Sequence, residues 1–121
     1  MEVIYKMYTE LIIKGESYKL RLTTRGSIAL EKALGYNPIA LFLAIEQGEM
    51  PKLSDLLIML HAMLQSFHHG ITLDKTYDLF DDYVADGHNM FDLVPVFVEV
   101  FQQSGYMSAN TEDTENEERK N

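Results

Sequence analysis

The sequence predicts an α+β fold that is mainly α: a small N-terminal antiparallel β-hairpin followed by about five helices. Two observations predict it. Strand-like segments flank a glycine turn near the N-terminus, and helix start and stop residues bracket the apolar segments after residue 24. The 121 residues, 46% of them hydrophobic, suit a single domain with its own core. We expect that domain to span residues 1–106, and residues 107–121 to form a disordered acidic tail.

The predicted hairpin joins residues 9–13 to residues 18–22 through a turn at 14–17. Because glycine accepts a positive φ without penalty, Gly15 and Glu16 are predicted as a two-residue loop. That register places Leu11 opposite Leu20 on one face and Glu10 opposite Arg21 on the other, so both faces are chemically matched. Residues 3–8 are predicted as a third strand.

Helices are predicted over residues 25–34, 38–47, 54–69, 73–86 and 91–101, the third being the longest. Thr24, Asn37 and Thr72 are the expected N-terminal caps, because their side-chain oxygens can accept from free backbone N–H groups. Glycines at 35, 48, 70, 87 and 105 are the expected ends. In the fourth helix the 3.6-residue period predicts a buried side made of Leu73, Tyr77, Phe80 and Val84.

The last apolar segment, residues 91–101, fits two structures. Its valines at 94, 96, 98 and 100 alternate, which is typical of a strand. Asn89 and Asp92 resemble a helix capping pair, and Pro95 would fall near the first turn, so we predict a helix. The segment has too little polar surface for an exposed helix. It is therefore either central core or covered by another subunit.

Charge and composition exclude several classes of function. The formal net charge of −9 argues against nucleic-acid binding, and residues 55–106 hold eight acidic groups and one basic group. No apolar run is long enough to span a membrane, and the sequence contains no cysteine for a disulfide or a thiolate site. We expect a soluble protein in the cytoplasm, with no cofactor, no nucleic-acid partner and no membrane partner.

No motif predicts catalysis. The helical spacing places Asp78, Asp82 and Asp86 on one face, with Asp81 nearby, but such a face is usually solvated rather than metal-binding. The histidines are not spaced as three ligands of one metal, so a structural role is favoured for each of them: His61, His68, His69 and His88. We therefore predict that the protein is not an enzyme.

Methionine and aromatic side chains are the candidate interaction residues. Met59, Met63 and Phe67 form a stripe at helical spacing, which indicates either core or an adaptable binding groove. The apolar segment 91–101 has the same two interpretations. We predict that contacts with another chain, either a second subunit or a bound partner, are made by Met59, Met63, Phe67, Phe91, Val94, Phe97, Val98 and Phe101. Val98→Asp is expected to abolish the solubility of that partner while leaving this chain folded if Val98 lies at an interface, and to unfold the chain if it lies in the core.

An ordered set of segments resembles the tail assembly chaperones of long, flexible-tailed phages and prophages of Gram-positive bacteria. The resemblance covers about residues 9–106. It is carried by YKLRLTTR (18–25), ALEKALGYNP (29–38), LSDL (53–56), HGITL (69–73), YDLFDDY (77–83), the apolar segment 93–101 and SGY (104–106).

The resemblance implies a chaperone that coats the aggregation-prone tape measure protein, keeps it soluble and recruits tail tube protein around it. It also implies a homo-oligomer in the host bacterial cytoplasm that is absent from the mature virion. This chain would be the short form of a pair made by ribosomal frameshifting. The alternative of another class is a structural tail or head–tail joining component, which would remain in the virion.

Overall fold

The computed structural model describes residues 7–107, and it has the predicted class: an N-terminal hairpin followed by five helices. Strands β1 (Thr9–Ile13) and β2 (Glu16–Leu20) pair antiparallel. The predicted third strand falls mostly outside the described residues, and its last two residues, Met7 and Tyr8, form a bend. The predicted acidic tail lies outside the described residues except for Met107.

The predicted hairpin register is wrong by two residues. The loop consists of Lys14 (φ 51°) and Gly15 (φ 77°), both left-handed as a type I′ turn requires, so Leu11 lies opposite Tyr18. The Lys14 backbone N–H also donates to Asp86 at 2.6 Å, which holds the turn against the helical body. Because a two-residue shift preserves the alternation of side chains, Leu11 and Leu20 still face the core.

The first helix, α1 (Thr24–Leu34), begins one residue earlier than predicted. Thr23, not Thr24, is the cap: its Oγ1 accepts from the Gly26 N–H at 3.0 Å. Gly35 ends the helix with φ 81°, as predicted.

Two matched substitutions distinguish these caps. Thr23→Ala is expected to lower the free energy of unfolding by about 1 kcal/mol, because the Gly26 N–H loses its acceptor. Thr24→Ala is expected to leave stability nearly unchanged, since Thr24 is exposed inside the first turn. Urea denaturation followed by circular dichroism measures both. A larger loss for Thr24→Ala would restore the cap predicted from the sequence.

The helix α2 (Ile39–Glu46) follows the Asn37-Pro38 start signal, and Asn37 Oδ1 accepts from the Ile39 N–H at 3.0 Å. The next helix, α3 (Leu53–Leu64), is shorter than the predicted 54–69 and is not the longest. Its end is fixed by Gln65, whose side-chain amide donates to the carbonyl oxygens of His61 and Ile71, both at 2.9 Å. These bonds draw residues 65–71 into a turn instead of a further helical turn.

The longest helix is α4 (Leu73–Ala85), capped as predicted by Thr72, whose Oγ1 accepts from the Lys75 N–H at 3.0 Å. Its predicted buried side is wrong. The buried residues are Thr76, Leu79 and Tyr83, while Tyr77 and Val84 are 42% and 47% exposed; Phe80 and Leu73 are half-buried. Thr76 tolerates burial because its hydroxyl donates to the Thr72 carbonyl oxygen at 2.9 Å.

The last apolar segment is helical, as predicted. A 3₁₀ turn (Met90–Asp92) leads into α5 (Leu93–Ser104), and Asn89 with Asp92 forms a capping box. Gly105 ends the helix with φ 92°. Its buried residues follow the helical period rather than the valine alternation: Leu93, Phe97, Val100 and Phe101.

The core is centred on α3, which packs against α1, α4, α5 and β2. The Arg21 N–H donates to the Met63 carbonyl oxygen at 2.9 Å and ties the end of the hairpin to this helix. Phe42 of α2 meets Phe101 of α5 edge-on, with ring centroids 5.4 Å apart. Among the described residues no single helix could cross a membrane by length and composition; α1 and α2 pass that test only as a pair, bent by 62°.

Candidate interaction surface

Four of the eight predicted interaction residues lie in the core of the single chain. The side chains of Met59, Met63, Phe97 and Phe101 have no exposed surface. Of the two interpretations of the methionine stripe and of α5, the structure therefore places these residues in intrachain core. A partner cannot reach them while the chain keeps this fold.

The other four predicted residues are reachable, but they lie on different elements. Phe67 and Phe91 are exposed, while Val94 and Val98 are half-buried and pack against the core. Phe67 follows α3 and meets Tyr8 edge-on at 5.7 Å. Their role as contacts stays a prediction. Because Val98 packs on the core, Val98→Asp would disturb stability as well as binding.

A concave and partly apolar groove lies between α1 and α3, and it was not predicted from the sequence. Two adjoining cavities of about 280 and 440 Å³ form it, and they share Gly26, Ala62 and Gln65. The smaller one is lined mainly by apolar side chains. The remaining lining residues of this α1–α3 groove are Ala29, Leu30, Ala33, Ile58, His61, Arg21, Thr23, Ser66 and Phe67.

Small side chains create the α1–α3 groove. Gly26, Ala29 and Ala33 recur at spacings of three and four residues, so they share one face of α1 and leave space above Leu30. Gln65 is held by its two hydrogen bonds and forms a fixed rim. In the sequence, only this helical spacing of glycine and alanine indicates the groove. A prediction based on large apolar side chains does not include these small residues.

A second exposed apolar surface surrounds α2. Leu43 is 54% exposed and Met50 is 72% exposed, and a cavity of about 200 Å³ lies between α2 and the start of α3. Glu46 is the one charged residue of this eight-residue helix. A helix that is apolar on nearly all sides is normally covered, so α2 is a further candidate contact surface.

The acidic and histidine candidates supply no reactive geometry. On α4, Asp78 and Asp81 are exposed, and within the described range no three His, Asp or Glu side chains are placed to hold a metal ion. His68 Nε2 accepts from the Lys19 backbone N–H at 3.0 Å, and burial, together with the charge of Lys19, lowers the pKa of His68. His88 stacks on Tyr83 with ring centroids 4.4 Å apart. These contacts are structural.

Two tyrosine–carboxylate pairs join neighbouring elements. The Tyr36 hydroxyl donates to Asp55 Oδ2 at 3.0 Å, and the Tyr106 hydroxyl donates to Glu31 Oε2 at 2.7 Å. Burial, followed by the hydrogen bond and the charge of the carboxylate, raises the pKa of each phenol to about 12. The second pair fixes the end of α5 against α1.

Both pairs predict a loss of stability in alkali. A folded-state pKa above the ordinary 10 means that the neutral phenol stabilises the fold. That stability is complete below pH 10 and is lost as the pH rises through 12. In an absorbance titration of tyrosinate, we expect at least two of the seven tyrosines to ionise near pH 12. Glu31→Gln should bring one of them back towards 10; an unchanged titration would contradict the Tyr106–Glu31 bond.

Comparison with known proteins gives a family but no activity. The profile of DUF6096, a family of unknown function, matches residues 6–119, so the chain belongs to that family. No curated protein and no solved structure matches the chain significantly.

Proposed function

We propose that this member of DUF6096 is a non-enzymatic phage tail assembly chaperone. It binds the tape measure protein, keeps it soluble and recruits tail tube protein during tail assembly. It acts as a homo-oligomer in the host bacterial cytoplasm and is absent from the mature virion. Two observations support the proposal. The first is the ordered sequence resemblance over residues 9–106, and the second is an apolar groove suited to non-covalent binding of another protein chain.

The observation that carries the proposal is the α1–α3 groove. Its apolar α1 wall, which includes Ala29, Leu30 and Ala33, offers burial to an apolar client side chain. Apolar contact is non-directional, so one groove suits many sites along a long helical client. From Gly26 to Ala33 the groove follows about 10 Å of helix, which is enough for two turns of a client helix.

The charge distribution supports the same role. Exposed carboxylates such as Asp74, Asp78 and Asp81 lie on α4, which does not line the α1–α3 groove. A chaperone that covers an apolar client must present a polar outer surface, and excess negative charge keeps such a complex soluble. The chain thus separates an apolar contact surface from a charged one.

Co-expression tests the proposal. The tape measure protein encoded beside this chain in the same phage or prophage is produced with and without it, and the soluble fraction is separated by size exclusion. We expect the tape measure protein to be soluble and to co-elute only when this chain is present. If it stays insoluble even with the longer frameshifted form added, the proposal fails. Abundant copies of this chain in purified virions, detected by mass spectrometry, would favour the structural tail component.

A further inference from the structure

The two ends of the α1–α3 groove differ in chemistry. The smaller cavity is lined mainly by apolar side chains, among them Ala33 and Ile58. The larger cavity shares Gly26 with it and continues to Arg21 and Thr23. The groove therefore has an apolar end near Ala33 and a polar end near Arg21.

Arg21 places a positive charge at the polar end. Among the described residues that line either cavity, it is the one lysine, arginine, aspartate or glutamate. It is half-buried, and between residues 7 and 107 no carboxylate forms an ion pair with it. The whole chain carries a formal net charge of −9, so the groove differs in sign from the rest of the molecule.

We propose that the α1–α3 groove binds an amphipathic helical segment of a partner protein that carries a carboxylate beside its apolar side chains, and that this carboxylate pairs with Arg21. The apolar side chains of the segment, spaced three and four residues apart, lie against the end near Ala33. The planar guanidinium of arginine suits a carboxylate, and partial burial strengthens the pair. That the partner is the tape measure protein rests on the proposed function; the preference for an acidic helix concerns the groove alone.

This preference is opposite to the one that net charge produces. A chain with a net charge of −9 attracts basic peptides and repels acidic ones. A preference for an acidic helix must therefore come from a local cation. The sign of the measured preference distinguishes a contact with Arg21 from the field of the whole molecule.

Three dye-labelled peptides test the inference on the full-length chain. Each is an alanine-based helix of about 16 residues, long enough to be partly helical alone, with leucine at i, i+3, i+4 and i+7. They differ only in the residue at both ends, which is Glu, Gln or Lys, so either direction of binding is covered. By fluorescence anisotropy at low salt, we expect the Glu peptide to bind about fivefold more tightly than the Gln peptide, and the Lys peptide most weakly.

Arg21→Gln is expected to abolish the preference for the Glu peptide over the Gln peptide. Arg25→Gln is the matched control, because Arg25 is exposed on α1 and lines neither cavity, and it should keep the preference. The backbone bond from Arg21 to Met63 does not involve the substituted side chain, and circular dichroism checks that both variants are folded.

Four outcomes overturn the inference: equal loss of the preference in both variants, preferential binding of the Lys peptide, no binding of any peptide, or occupation of the groove by a second copy. The last is detected if Ala29→Glu converts an oligomer of the chain alone into monomers on size exclusion. If the Glu preference is found and depends on Arg21, but the tape measure protein is never solubilised in co-expression, the proposed function fails while this inference stands.

Discussion

Replacing Phe101 by alanine is expected to lower the free energy of unfolding by about 3–5 kcal/mol. The ring is completely buried in α5, and it meets Phe42 and Tyr106 edge-on with centroids 5.4 and 5.1 Å apart. Its removal loses the transfer energy of the ring and leaves a cavity between α5, α2 and Tyr106. Since domains of this size are stable by roughly 5–15 kcal/mol, the variant should be partly unfolded at 37 °C or close to it.

The matched control is Phe91→Ala, the same substitution at a residue that is 43% exposed. Its loss is expected to lower the free energy of unfolding by about 1 kcal/mol, because a partly exposed ring buries less apolar surface in the folded chain. Thermal unfolding followed by circular dichroism should place the midpoint of Phe101→Ala at least about 10 °C below that of the control. Similar midpoints for the two variants would mean that α5 buries its phenylalanines between chains rather than within one.

Ala29→Glu is expected to abolish solubilisation of the tape measure protein while leaving the chain folded. Ala29 is exposed on α1 and lines the α1–α3 groove, so a longer side chain can be accommodated without repacking the core. A carboxylate on that wall must be desolvated when an apolar client side chain enters, at a cost of several kcal/mol. A loss of that size reduces affinity by 100-fold or more, by the relation of about 1.4 kcal/mol per factor of ten.

The matched control here is Ala85→Glu, which introduces the same charge on the exposed face of α4. It should keep the tape measure protein soluble. The readout is the soluble fraction of the tape measure protein after co-expression, with circular dichroism of each variant alone. Equal solubilisation by both variants would remove the α1–α3 groove from client binding; loss with both would point to net charge instead.

The helices and strands were largely predictable from the sequence, because the residues that start and end a helix act on groups only a few positions away. The Asn37-Pro38 start, the Thr72 cap and the Gly105 stop each depend on a hydrogen bond or a φ angle close in sequence. The capping pair of Asn89 and Asp92 likewise identified α5 as a helix despite its alternating valines.

Tertiary contacts decided what the sequence could not. The hairpin loop consists of Lys14 and Gly15, and the Lys14 backbone N–H donates a hydrogen bond to Asp86. Because Asp86 is distant in sequence, no local pattern predicts this contact. On α4, two adjacent stripes both contain aromatic residues, and the buried one includes Thr76, whose hydroxyl is satisfied by Thr72. Periodicity alone therefore favoured the wrong stripe.

The candidate site was the least predictable part for a related reason. Large apolar side chains such as Met59 and Phe97 were predicted as binding residues, but in the folded chain they are completely buried in the core. A contact surface is what remains after the core is filled. In this chain the candidate surface, the α1–α3 groove, is lined by small residues, Ala29 and Ala33, beside a half-buried Ile58.

The most direct test of client binding in the groove is photo-crosslinking from its wall. A benzophenone amino acid replaces Ala33 in a chain co-expressed with the tape measure protein, and the same replacement at Ala85 is the control. If the client binds in the groove, we expect a covalent adduct with the tape measure protein from position 33 and little from position 85. Equal adducts from both positions, or a tape measure protein that is soluble but crosslinked from neither, would contradict it.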